Sequence, residues 1–75
     1  MSDDDRIPVP RAVRDGILAV RDSGLTNMLS IPDVAKIALD LGHIDAAIWI
    51  DDPANKRAYA EGVFRGFRVE DDPAG

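Results

Sequence analysis

The sequence predicts an all-α fold, a compact small bundle of three main helices plus one short helix. Three observations carry that expectation. Apolar residues recur at three- and four-residue spacing along each segment. Gly24, Gly42 and Asp51-Asp52-Pro53 punctuate the chain at helix-length intervals. The connections left over are a few residues long, which forces successive helices against one another. Neither a βαβ unit nor an internal repeat is visible. In 75 residues, 45% hydrophobic and 31% charged, there is room for one modest core. It reads as a single helical domain over residues 9–68, with acidic flexible tails at 1–8 and 69–75.

Pro8 and Pro10 hold the approach extended, and a helix runs from Pro10 or Arg11 to Ser23. Val13, Gly16, Ile17 and Val20 fall on its buried face, and Gly24 supplies a left-handed stop. In the link that follows, Thr26 and Asn27 are suited to satisfying local backbone groups, while Leu25, Met28 and Leu29 have apolar area to bury. Ser30 as N-cap, Pro32 in the first turn and Asp33 near the positive end start the second helix. Its buried stripe is expected to be Val34, Ile37, Ala38 and Leu41, with Gly42 ending it. Residues 43–51 read as the short helix, with Ile44, Ala47 and Ile48 on one face, although Ile-Trp-Ile also tolerates an extended conformation. Asp52 is expected to cap the last helix, with Pro53 in its first position. Tyr59, Ala60, Val63 and Phe64 form the apolar face there, with Phe67 aligned just beyond it. Gly62 is tolerated inside that helix at about 1 kcal/mol relative to Ala, and Gly66 ends or loosens it.

The formal net charge of -5 belongs to the ends of the chain. Residues 1–8 hold three Asp and one Arg, residues 69–75 hold Glu70, Asp71 and Asp72, and the sixty residues between balance eight acids against eight bases. Without clustered positive charge to displace phosphate counterions, bulk attraction to nucleic acid or anionic lipid is not expected. There is no cysteine, and His43 is the single histidine, which excludes disulfides, thiol nucleophiles and the ordinary zinc sites. The apolar runs are far shorter than the roughly 20 residues a membrane helix needs, and the N-terminus is acidic. A soluble, non-exported protein without a membrane association is the expectation.

The segments ILAVRDSGLTNMLS (17–30) and VAKIALDLG (34–42), with Ala58-Tyr59 and Phe64-Arg65-Gly66, resemble a small bacterial and bacteriophage family of unknown function. The resemblance covers roughly residues 11–66. Ile17, Leu18, Arg21, Ser23, Gly24, Thr26, Asn27 and Met28 match its recurrent element. Leu29-Ser30 stands where many members have Phe-Asp, and residues 46–49 replace a bulkier segment. The resemblance implies a phage or prophage setting and an accessory role, and no established reaction. Gly24, Thr26, Asn27 and Met28 are the structural candidates within its motif.

No catalytic, cofactor or metal site is expected. His43 follows a stop glycine, with Asp40 and Asp45 near it only in sequence, and lacks a nucleophile or substrate pocket to serve. Asp3-Asp4-Asp5 and Asp51-Asp52 lack the spacing of a calcium loop. The more distinctive surface is on the first helix, where Arg11, Arg14 and Arg21 surround Leu18 as a basic rim about an apolar residue. That arrangement suits a carboxylate-bearing protein partner or a second copy of the chain in a homodimer. Trp49, offset from its neighbours on the helical wheel, is the other interaction candidate. The expected function is that of a phage-associated accessory protein acting through protein contact. Two alternatives stand beside it: inhibition of a host defence system, and DNA binding. Residues 29–38 resemble the entrance to a helix-turn-helix, but residues 43–51 offer no Arg, Lys, Asn or Gln to read bases.

Overall fold

In the computed structural model, which describes residues 5–70, each helix ends where the chain changes chemistry. A short strand β1 (Ile7–Val9) leads into α1 (Arg11–Ser23). The helices α2 (Ile31–Asp40) and α3 (Ile44–Asp51) follow, then a 3-10 turn (Pro53–Asn55), α4 (Lys56–Arg65) and strand β2 (Phe67–Val69). Gly24 closes α1 in the left-handed region at φ 66°, its N–H donating to the Arg21 carbonyl, a conformation that a Cβ would strain. Ser30 stands at the head of α2 as its sequence position implies, but its hydroxyl caps nothing. Asp52 does cap: its carboxylate accepts the Ala54 N–H at 3.0 Å, and the segment begins as the 3-10 turn before settling into α4.

The fold is mainly helical, and the two strands correct the all-α expectation. β1 and β2 pair in parallel, with Ile7 opposite Phe67, Pro8 opposite Arg68 and Val9 opposite Val69. The Ile7 N–H donates to the Gly66 carbonyl at 2.9 Å and the Glu70 N–H to the Val9 carbonyl at 3.0 Å. Pro8 has no N–H to give, and it sits on the outward side of a two-stranded ladder, where none is needed. The sheet takes Ile7 and Pro8 from the stretch read as an N-terminal tail, and Val69 from the one read as a C-terminal tail. Residues 1–4 and 71–75 of those tails lie outside the described residues. Three-residue strands leave no periodicity to detect. What makes them strands is a partner brought back by the four helices between them.

The core gathers Val9, Val13, Ile17, Val20, Val34, Ala35, Ala38, Ala46, Ala47, Ile50 and Tyr59. On α1 the buried residues are the four expected, Val13, Gly16, Ile17 and Val20. On α2 and α3 the buried face is rotated. Ala35 is buried and Leu41 exposed, and Ala46, Ala47 and Ile50 turn inward while Ile44 and Ile48 stand 56% and 66% exposed. The buried residues of these two helices are mostly small, Ala35, Ala38, Ala46 and Ala47, with Ala35 and Ala47 lining the trough between them, and larger side chains are left at its flanks. Phe64 is likewise 77% exposed, and Phe67 takes the inward place.

Candidate functional site

The first helix presents its basic rim over a groove. Arg14, Leu18 and Arg21 recur at four- and three-residue spacing, which stacks them along one edge of α1 beside its buried stripe. Opposite them, α4 and the start of β2 contribute Gly62, Val63, Gly66 and Phe67, and Met28 closes one end. The cleft encloses about 300 Å³. Its floor is apolar, its rim carries two guanidinium groups, and neither Arg14 nor Arg21 has an ion-pair partner among the described residues. The carboxylate on the facing helix, Glu61, is already engaged by Arg57 at 3.2 Å and Arg65 at 3.8 Å.

Two glycines are required by close approaches, and one of them, Gly62, lines the groove. A Cβ on Gly62 would run into the Phe67 ring, whose Cδ1 would lie 2.7 Å from it. Phe67 can therefore lie across α4 and stack against Tyr59, with ring centroids 5.8 Å apart and planes tilted by 34°. Gly62 is thus required by a close approach, where the sequence suggests only a tolerated helix glycine. Between α1 and α3, a Cβ on Gly16 would meet the Ala46 methyl and stand 2.9 Å from the His43 Cβ. Gly16 sets the crossing of α1 over α3.

The motif residues form the corner between α1 and α2. The Ser23 hydroxyl donates to the Val20 carbonyl at 2.6 Å and accepts the Leu25 N–H at 3.2 Å. Asn27 Oδ1 accepts the Leu29 N–H at 2.9 Å, and the Asn27 carbonyl accepts the Ser30 N–H at the same distance. The Met28 carbonyl accepts the Tyr59 hydroxyl at 2.5 Å. Tyr59 is fully buried, and burial pushes its hydroxyl up to about 12 from the usual 10. Gly24 and Met28 thus fix the corner through the backbone, Asn27 through both its side chain and its carbonyl, and Thr26 is half-buried within it. The residue that ties the corner to α4 is Tyr59, which sequence reasoning placed only on an apolar face.

The other candidates are dispersed. Arg11 is exposed at the start of α1 and does not line the groove. Trp49 is half-buried against the core, and its carbonyl accepts from the Asn55 side chain at 3.0 Å. His43 is half-buried at the head of α3, its carbonyl accepting the Ala47 N–H. Among the described residues no three His, Asp or Glu side chains come together as a metal site, and no helix is long and apolar enough to cross a membrane.

A protein-family model described as a domain of unknown function matches residues 10–66. The matched span runs from the entrance of α1 to the glycine after α4 and leaves out both strands. No curated protein and no solved structure matches the chain.

Proposed function

The chain belongs to the DUF5049 family of unknown function, and from that premise we propose that it is a small phage-associated accessory protein of the bacterial cytoplasm that acts by binding another protein through the α1 groove. One observation carries the reading: Leu18 sits between two arginines that have no ion-pair partner among the described residues, over an apolar cleft. A partner that inserts an apolar side chain and offers carboxylates to Arg14 and Arg21 would meet both needs. Inhibition of a host defence protein is a narrower form of the same reading.

The test is affinity capture from a bacterial lysate with the wild-type chain, Arg21→Ala and Leu18→Asp, each verified as folded by circular dichroism. Loss of the same captured protein from both variants is the expected result, and capture unchanged by either removes the groove from the reading.

DNA binding is the second reading, and the connection between α2 and α3 favours it. Only Leu41, Gly42 and His43 separate the two helices, as in a helix-turn-helix. The chemistry of α3 opposes it, since its exposed residues include Ile44, Asp45, Ile48 and Asp51, apolar or acidic groups facing where bases and phosphates would lie. Salt-dependent, sequence-selective retention of duplex DNA would move the function to that reading.

A further inference from the structure

The rotation of α2 and α3 about their alanine seam leaves large apolar side chains in water. Leu39 is 54% exposed and Ile48 66%, and the two flank a shallow trough whose floor is Ala35 and Ala47 and whose remaining lining is Pro32, Lys36 and Asp51. A cluster of this kind on so small a chain is a contact surface awaiting a cover. Its charges say what the cover is. Lys36 stands on the α2 side and Asp51 on the α3 side, one of each sign, and neither is ion-paired among the described residues.

We infer that this face binds a second copy of the same chain, with a two-fold axis running along the trough. A two-fold contact needs a surface complementary to itself, so that each residue on one side of the axis meets its counterpart from the other side. Here α2 of one protomer packs on α3 of its partner, bringing Leu39 against the partner's Ile48 and Lys36 against the partner's Asp51. A partner of uniform charge would satisfy one of the two ionic groups and repel the other. The second copy satisfies both, twice.

This assignment extends the interaction reading to a different face and does not use the α1 groove, so the two fail separately: one through Leu18→Asp in the capture assay, the other through the oligomeric state. The experiment is sedimentation velocity on the full chain over a concentration series, with circular dichroism confirming that each variant folds. The wild-type chain passes from monomer to dimer as concentration rises. Ile48→Asp, at an exposed position, weakens the dimer by more than about tenfold. Lys36→Asp and Asp51→Lys each weaken it, and the double variant recovers much of the loss, because the reversed pair is again complementary. A wild-type chain monomeric throughout overturns the assignment, as does a dimer indifferent to Ile48→Asp or a double variant no better than its parents. Loss of a foreign protein from Ile48→Asp, with the wild type still monomeric, gives the face to that protein and overturns it equally.

Discussion

Tyr59 is the residue on which most of the fold turns. It is the single tyrosine, it is completely buried, and its hydroxyl reaches across 31 positions of sequence to the Met28 carbonyl. Burial favours the neutral phenol and holds its pKa near 12. Between pH 10 and 12 the unfolded chain has released this proton and the folded chain still holds it. The unfolded state then binds fewer protons, and stability falls as pH rises. Below about pH 10 the contribution is intact; above about 12 the chain has lost about 2–3 kcal/mol relative to neutral pH. Thermal melts from pH 8 to 12 should show this fall, and tyrosinate absorbance should report the late titration directly. Tyr59→Phe removes this pH dependence, so the difference between the two chains isolates the phenol. At neutral pH the same substitution costs about 1 kcal/mol, for the lost hydrogen bond.

At the scale of elements, the packing is held at two close approaches where no side chain fits. The Phe67 ring occupies the place of a Gly62 Cβ, and Ala46 occupies that of a Gly16 Cβ. Alanine at either position adds intrinsic helix stability of about 1 kcal/mol, yet the displaced neighbour must move. At Gly62 that neighbour is a ring already stacked on buried Tyr59, so overpacking wins, and Gly62→Ala is expected to destabilise by about 1–3 kcal/mol in urea titration. Because Val63, Gly66 and Phe67 line the groove with Gly62, the same change should also weaken partner capture. The closeness of the α2–α3 seam has the opposite consequence for the surface. The buried residues of α2 and α3 include four alanines, and Leu39, Ile44 and Ile48 are left outside.

At the scale of the whole molecule, the chain closes on itself through β1 and β2. Val9 and Val69 are register partners and both are buried, so the two ends of the described chain share one piece of core. Val9→Ala and Val69→Ala should each destabilise by roughly 1.5–2.5 kcal/mol, for the apolar area lost. Because either change loosens the ladder for the other, their combined cost should fall short of the sum by at least about 0.5 kcal/mol. A double-mutant cycle by denaturant unfolding measures it, and strict additivity would mean that the strands do not support one another.

Local signals made the helices legible. Gly24 and the Asp52-Pro53 pair mark ends by backbone chemistry that needs no distant partner, and the α1 stripe of Val13, Gly16, Ile17 and Val20 is a matter of periodicity alone. The basic edge of Arg14, Leu18 and Arg21 was readable for the same reason. The groove it borders was not, since Val63 and Phe67 arrive from the far end of the described chain. Two elements of three residues, the inward face of α3 and the need for glycine at 62 were likewise decided only in three dimensions. Sequence determines which way a segment coils and where it stops, because those depend on neighbours within a turn. Which face then turns inward, and what lies against it, depends on how closely two backbones can approach, and that is a property of the folded pair.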